Sequence, residues 1–304
     1  MCGISGIIHK HSSIERPADV GAELVKMLES MTHRGRDSSG VTVAGRSTDG
    51  DLIVRIWTDD EANASDVLAR TEEAVQRAGG VIVDRASRDE FLRLTINYEG
   101  DVPKLAEALL NTEGVEIHSI GETSEVIKDV GTPVQMDSRH DIGRLSGTHG
   151  IGHVRMATES KVDISHAHPF WAYPFPDVTV VHNGQLTNYH SMKRAYEDQG
   201  HHFQTRNDSE IIAVYLADRL ARGATLEQSL TDSLDDLDGT FTYLVSTRDG
   251  MGCAKDRWSA KPLVTMETDD VVAVASEEVA LRQVFSDEIA RQEPQQSEVL
   301  TWLL

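Results

Sequence analysis

The stretch Cys2-Gly3-Ile4-Ser5-Gly6-Ile7-Ile8 begins at the second residue of the chain and is apolar almost throughout. An unbroken run of small and β-branched apolar residues is typical of a strand that is buried on both faces. We therefore predict that the fold opens with a buried strand. Cys2 stands at the start of that strand.

Cys2 follows the initiator methionine directly, and methionine aminopeptidase removes Met1 when the next residue is small. We expect the mature chain to begin with Cys2, whose free α-amine has an ordinary pKa near ~8 and is partly neutral at physiological pH. One residue then supplies a thiol nucleophile and the base that takes its proton. Gly3 has no β-carbon and lets a substrate come close to the first peptide. The alternative is a chance cysteine at this position.

Apolar residues also recur at helical spacing after the first strand, over residues 18–31. Further helices are predicted over 188–199, 208–222 and 225–234, among strand patterns that are dense beyond residue 147. Strands at both ends of the chain, with helices in blocks between them, favour an α+β fold with packed antiparallel sheets over a doubly wound parallel sheet.

Residues 47–141 differ in character, because charged helical stretches alternate there with short strands such as 91–97. We predict a small inserted α/β subdomain over this range, within one large domain that spans residues 2–304. No motif in the range points to a particular chemistry. Stability and a partner interface are both open as its role.

The composition excludes several classes of partner and location. Lys and Arg total 29 against 50 Asp and Glu, and the net charge of -21 argues against nucleic acid or an anionic membrane as the partner. No run approaches the ~20 apolar residues that cross a bilayer, and we expect a cytoplasmic protein. The two cysteines lack a CxxC spacing, and Cys253 is expected to be a small buried residue of a strand.

Acyl transfer from an amide needs hydrogen-bond donors for the oxyanion that develops. His182-Asn183-Gly184 directly follows the apolar run at 178–181, so the Asn183 side-chain amide and the Gly184 backbone N–H are expected to converge at the end of a strand. Taken alone, Asn-Gly is also a common β-turn sequence, which is the plain alternative.

A free amino-acid substrate needs a partner for its carboxylate and one for its ammonium. Arg155 follows an apolar strand and offers a bidentate fork for a carboxylate, while Asp208 opens a predicted helix and can pair with an ammonium. Either residue alone could be an ordinary surface charge. The pairs His166-Ala-His168 and His201-His202 fit no known zinc spacing, and we interpret them as loop or packing residues rather than metal ligands.

Together these residues resemble the class II glutamine amidotransferases, which use an N-terminal nucleophile. The resemblance extends along most of the chain and is carried by Met1-Cys2-Gly3-Ile4, His33-Arg34-Gly35-Arg36-Asp37-Ser38-Ser39-Gly40, Gly152-His153-Val154-Arg155-Met156-Ala157-Thr158, His182-Asn183-Gly184 and Asn207-Asp208-Ser209-Glu210. It implies that Cys2 is the nucleophile and that Asn183 with Gly184 forms the oxyanion hole. It also implies that Arg155 and Thr158 hold the glutamine carboxylate and Asp208 the amine.

The resemblance further implies a four-layer αββα sandwich with the 47–141 range as an insertion. Many members have Arg-Trp-Ala-Thr-His where this chain has Arg155-Met156-Ala157-Thr158-Glu159, so the gating loop differs. The segments Met156 to Ser160 and Ser165 to Phe170 look closest to amidotransferase subunits related to glutamate synthase and N-methylglutamate synthase. That resemblance implies no cofactor in this chain and a separate synthase subunit, bearing FMN, that accepts the ammonia in a hetero-oligomer.

Two other functions stay open at this point. One is an N-terminal-cysteine hydrolase of a different amide, such as a conjugated bile acid or a penicillin-like substrate, which does not need both Arg155 and Asp208. The other is a catalytically inactive subunit that regulates or scaffolds a synthase. The joint presence of Cys2, Arg155, Asn183 and Asp208 argues against loss of activity.

Overall fold

The computed structural model describes residues 2–46, 51–59, 64–157, 162–285 and 290–304. Its strands, in chain order, are β1 (Gly3–His9), β2 (Ser38–Ala44), β3 (Leu52–Trp57), β4 (Val81–Arg88), β5 (Phe91–Asn97), β6 (Glu116–Gly121), β7 (Glu125–Val130), β8 (His149–Arg155), β9 (Phe170–Trp171), β10 (Thr179–Leu186), β11 (Gly239–Thr247), β12 (Gly250–Lys255), β13 (Val264–Glu267), β14 (Val271–Ala275) and β15 (Val299–Leu303). Its helices are α1 (Val20–Ser30), α2 (Ala64–Arg77), α3 (Val102–Leu110), α4 (Pro133–His140), α5 (Tyr189–Asp198), α6 (Asp208–Ala221), α7 (Leu226–Asp236) and α8 (Glu278–Leu281).

Two antiparallel sheets form the centre of the molecule. The first has the strand order β13-β14-β1-β8-β2-β7, and the second has the order β15-β12-β11-β10-β9. Alternate residues of β1 point to opposite sides, as in any strand. Ile4 and Ile8 pack against Val181 and Leu244 of the second sheet, whereas Ile7 faces α1 on the other side. The predicted buried strand at the chain start is therefore confirmed.

Helices cover the outer face of each sheet. α1 packs on the first sheet through an apolar stripe that continues to the residue after the helix, and the members of this stripe are fully buried: Val20, Leu24, Met27, Leu28 and Met31. Burying one such side chain contributes about 2 kcal/mol. α6 and α7 pack on the second sheet. The layers run helix, sheet, sheet, helix, which confirms the predicted α+β fold and the αββα sandwich.

A third sheet lies within the range predicted as an insertion. It has the order β4-β5-β3-β6, and α2 and α3 pack on it around a hydrophobic core that also includes Trp171 and Tyr173. The later part of the same range joins the first sheet, because β7 pairs with β2 and α4 packs against α1. How much of 47–141 forms a separate subdomain stays a prediction. No helix within the described part of the chain is both long and apolar enough to cross a bilayer.

Candidate active site

A cavity of about 810 Å³ opens where β1 begins, where β8 and β10 end, and where α6 begins. Its walls include five of the six residues that the sequence predicts for the site: Cys2, Arg155, Asn183, Gly184 and Asp208. These residues are up to 206 positions apart in the chain and meet only in the folded protein. The sixth, Thr158, lies outside the described residues.

Cys2 is half-buried at the base of this cavity, immediately before β1. Its Sγ lies 3.8 Å from the Met156 carbonyl oxygen. Its own carbonyl oxygen accepts two hydrogen bonds, one from Arg34 Nε at 2.9 Å and one from Asn183 Nδ2 at 3.0 Å. Arg34 is in turn held by Glu277, 2.6 Å from Nη1. The backbone of Cys2 is thus fixed from two sides, and Cys2 forms part of the cavity wall.

Asn183 and Gly184 lie inside β10 rather than at its end. The strand continues to Leu186 because β11 remains paired with it down to Gly239, so the predicted position at a strand end is wrong by a few residues. The plain β-turn alternative is wrong as well. Gly184 has φ +151°, and a β-carbon there would collide with the Thr240 carbonyl oxygen of β11. Only glycine allows the backbone to lie this close to its neighbour.

Arg155 is the last residue of β8 and is buried, with 4% of its surface exposed. The chain leaves the strand through contacts with the turn before β2. The Arg155 carbonyl oxygen accepts from the Asp37 N–H at 3.0 Å, and Asp37 Oδ2 accepts from the Ala157 N–H at 2.7 Å. Met156 is 40% exposed, and its carbonyl oxygen lies 3.8 Å from Cys2 Sγ. The loop is therefore anchored on both sides of an exposed methionine.

Asp208 is the first residue of α6, as expected of a first-turn acid, and Asn207 caps the helix by accepting from the Ser209 N–H at 2.9 Å. Asp208 Oδ2 accepts from the Leu186 N–H at 2.9 Å, which ties the helix to β10. Burial raises the pKa of Asp208, but nearby His182 and these hydrogen bonds outweigh it, and the net pKa is lowered. The carboxylate is ionised at physiological pH and can receive a cation.

A buried histidine cluster lies behind Asp208, and the sequence does not reveal it. Ser209 Oγ is 2.9 Å from both His168 Nε2 and His182 Nδ1, and the His168 ring stacks on His153 with centroids 4.0 Å apart. Burial lowers the pKa of His153 to about 3 and that of His168 far below its ordinary value, so both rings are neutral. His168, interpreted from sequence as a loop or packing residue, also lines the cavity.

Arg34 and Ser209 belong to the segments that carry the family resemblance, and this was the available signal for them. Their partners lie far away in sequence, so the contacts themselves could not be read from it. Across residues 2–46, 51–59, 64–157, 162–285 and 290–304, no group of three or more His, Cys, Asp and Glu side chains is placed to hold a metal ion.

Comparison with known proteins assigns the family. The sequence model of the glutamine amidotransferase domain matches residues 153–283. A putative glutamine amidotransferase of Methanothermobacter thermautotrophicus is 40% identical over 290 residues, which cover 94% of each chain. The chain belongs to the glutamine amidotransferase family. The glutamine amidotransferase-like protein GlxB of Rhizobium meliloti is 37% identical over 311 residues, covering 99% of this chain and 98% of that one.

Solved structures agree on the fold. The glutamine phosphoribosylpyrophosphate amidotransferase of B. subtilis superposes with a TM-score of 0.61 at 20% identity over 99% of this chain. At 20% identity this likeness concerns the fold alone, and this chain spans 47% of the length of that structure. Family and fold together make the protein an enzyme of the class II glutamine amidotransferases, which take glutamine as substrate and pass ammonia to an acceptor domain or subunit.

Proposed function

We propose that the chain hydrolyses L-glutamine to glutamate and ammonia through a γ-glutamyl thioester on Cys2 and delivers the ammonia to a separate synthase subunit. The observation that carries the proposal is the convergence of a cysteine thiol, an arginine, an asparagine amide and an ionised aspartate around one cavity. In this proposal the thiol attacks the carboxamide, the asparagine amide stabilises the oxyanion, and the two charged side chains bind the carboxylate and the ammonium of glutamine.

Substrate binding rests on two opposite charges. We assign the glutamine carboxylate to Arg155, whose planar guanidinium suits a bidentate pair, and to Thr158, which lies outside the described residues. We assign the ammonium to Asp208, whose lowered pKa keeps the carboxylate charged. An amide substrate without an α-amine has no group for the Asp208 carboxylate to bind, which disfavours the bile-acid and penicillin alternatives.

The first half-reaction begins when the α-amine of Cys2, freed by removal of Met1, takes the thiol proton. Sγ then bonds to the carboxamide carbon. The oxyanion receives one hydrogen bond from the Gly184 backbone N–H and one from the Asn183 side-chain amide. Nδ2 of Asn183 has two N–H groups, of which one is donated to the Cys2 carbonyl oxygen and the other is left for the oxyanion. The C–N bond breaks, the Cys2 ammonium gives its proton to the departing nitrogen, and ammonia and the thioester result.

The second half-reaction regenerates the thiol. The Cys2 amine takes a proton from water, and the resulting hydroxide attacks the thioester carbon. The C–S bond breaks, the thiolate recovers its proton from the ammonium, and glutamate leaves. The same oxyanion donors act in both halves.

The acceptor subunit is proposed from resemblance. The segment Ser165-His166-Ala167-His168-Pro169-Phe170 supports a synthase related to glutamate synthase, which itself carries FMN while this chain carries no cofactor. The hetero-oligomer is assigned to the cytoplasm, a reducing compartment that suits the two free thiols.

The test is glutamine hydrolysis by Cys2→Ala. Alanine is also small, so removal of Met1 is preserved and only the thiol is lost. We expect ammonia release from glutamine to fall by at least about 10³-fold. Cys253→Ala is the matched control, because Cys253 is fully buried in β12. We expect this variant to hydrolyse glutamine at the rate of the unaltered protein.

Hydrolysis by Cys2→Ala at the unaltered rate contradicts the mechanism. A panel of amides separates the remaining alternatives. If an acylated amide without an α-amine is turned over faster than glutamine, that amide and not glutamine is the substrate. Absence of all turnover, also in the presence of a co-purified synthase, favours the inactive subunit.

A further inference from the structure

A second cavity, of about 300 Å³, lies away from the active site where the third sheet meets α4. Four of its lining residues are arginines and one is an aspartate: Arg55 of β3, Arg88 of β4, Arg93 of β5, Arg139 of α4, and Asp141. The whole chain has a net charge of -21, so four guanidinium groups in the wall of one cavity are unusual for this protein. The acids that neutralise these arginines decide whether the cavity can bind an anion.

The inner end of this cavity has more positive than negative charge. Arg55 Nε lies 2.6 Å and Arg93 Nε 3.1 Å from Glu125 Oε2, and Arg46 contacts the other carboxylate oxygen. Glu125 is fully buried, and it is one carboxylate for three guanidinium groups. The next acid is Asp84, 3.9 Å from Arg93 Nη1 and largely exposed. These guanidinium groups are largely shielded from water and outnumber their counter-charges, which is costly, so this end is suited to a further anion.

The pKa values agree with this geometry. Burial and then the charge of Arg93 lower the pKa of Arg55 to about 9, and the same two causes lower that of Arg46 to about 10. Burial is the larger cause, and mutual repulsion of the guanidinium groups adds to it. A bound anion relieves this repulsion.

The outer end of the cavity is neutralised by the protein itself. Arg139 pairs with Asp89 at 2.9 Å, Glu90 at 2.6 Å and Asp129 at 3.1 Å. Arg88 lies 3.5 Å from Asp141 and also contacts the Arg139 carbonyl oxygen. These ion pairs hold Arg88 and Arg139 in place at the outer end of the cavity. The excess positive charge is shared by Arg46, Arg55 and Arg93 at the inner end, and of these three Arg55 and Arg93 line the cavity.

We propose that this cavity binds a small anionic metabolite whose phosphate or carboxylate group pairs with Arg55 and Arg93. Guanidinium forks recognise both kinds of oxyanion in bidentate fashion. A volume of about 300 Å³ accommodates a compact metabolite rather than a nucleotide. The inference does not depend on the chemistry at Cys2.

Calorimetric titration of the full chain tests the proposal. The probes are inorganic phosphate and succinate, each at an ionic strength held constant with sodium chloride so that general screening cancels. We expect saturable binding of at least one probe, weakened on the order of tenfold or more in Arg93→Gln, since a charge-assisted pair is lost. The probe that binds more tightly identifies the oxyanion.

Two further variants make the result decisive. Arg88→Gln alters a half-exposed cavity residue and is expected to fold even where Arg93→Gln is impaired, and it weakens binding less. Arg85→Gln is the matched control, because Arg85 is exposed, belongs to the same strand β4, pairs with Glu72 and lies outside this cavity. It keeps the affinity of the unaltered chain.

Failure of both probes to bind saturably overturns the proposal. So does equal affinity in Arg88→Gln, Arg93→Gln and the unaltered chain. The arginines then form an ion-pair network that only joins the third sheet to β7. Loss of glutaminase activity in Cys2→Ala bears on neither outcome.

Discussion

At the scale of single residues, the two cysteines show how position decides chemistry. Cys2 lies half-buried in the wall of the cavity, with its backbone held by Arg34 and Asn183. Cys253 is fully buried in β12, where burial raises the pKa of its thiol to about 12. The prediction that Cys253 is a buried strand residue is confirmed. Only one of the two thiols is available to a substrate.

Asp208 offers a test of substrate recognition at this scale. Asp208→Asn keeps an acceptor for the Leu186 N–H but removes the charge that we assign to the glutamine ammonium. We expect KM for glutamine to rise about 10- to 100-fold, because a hydrogen bond to a charged group contributes about 1.5–3 kcal/mol. The turnover number falls far less, since Asp208 does not touch the reacting amide.

Steady-state kinetics with glutamine measures this split. Asp198→Asn is the matched control, because Asp198 is an exposed acid at the end of α5. This substitution removes the same charge, but from the surface. An unchanged KM for glutamine in Asp208→Asn contradicts the assignment of Asp208 to the glutamine ammonium.

The sequence predicts which residue types meet in the site, but not the contacts that hold them. Cys2, Arg155, Asn183 and Asp208 could be named because each answers a demand of the chemistry. The two bonds to the Cys2 carbonyl oxygen could not be, since Arg34 is 32 residues away and Asn183 is 181. Such contacts depend on strand register and sheet packing, which a single sequence does not specify.

At the scale of elements, helices with a clear apolar stripe were predictable. The segments predicted at 18–31, 188–199, 208–222 and 225–234 are confirmed within about two residues by α1, α5, α6 and α7. The third sheet was harder. β4 is an edge strand whose residues are nearly all exposed, so it has no alternation of apolar and polar residues to detect.

β10 illustrates the limit of local signals. Asn-Gly is a turn sequence by itself, yet here it continues a strand because β11 pairs with it on to Leu186. The partner strand begins more than 50 residues later in the chain. Tertiary pairing thus overrides local propensity at the position where the proposed oxyanion donors lie.

At the scale of the whole molecule, buried neutral histidines predict how stability depends on pH. Burial lowers the pKa of His118 to about 4, of His149 to about 4 and of His153 to about 3. The unfolded chain takes up these protons near pH 6.5, and the folded chain does not. The free energy of unfolding therefore falls as the pH drops below about 6.5, by up to about 1 kcal/mol per pH unit for each histidine.

Urea unfolding at pH 7.0, 6.5, 6.0 and 5.5 measures this slope. Burial raises the pKa values of Asp177 and Glu210, so these carboxyl groups act in the opposite direction to the histidines, and the slope is therefore assigned by comparison with a histidine variant. His149→Gln keeps a donor for the Thr247 carbonyl oxygen and is expected to reduce the slope by one proton. A free energy that stays constant from pH 7.0 to 5.5 contradicts the assignment of neutral buried rings.

The central claim is that Cys2, with its own free amine, is the glutamine nucleophile. The most direct measurement is mass spectrometry of the intact protein, followed by peptide mapping, after reaction with a glutamine-like electrophile. We predict that Met1 is absent, that a single adduct forms on Cys2, and that excess glutamine prevents it. An active protein that retains Met1, or an adduct on Cys253 instead of Cys2, would contradict the account.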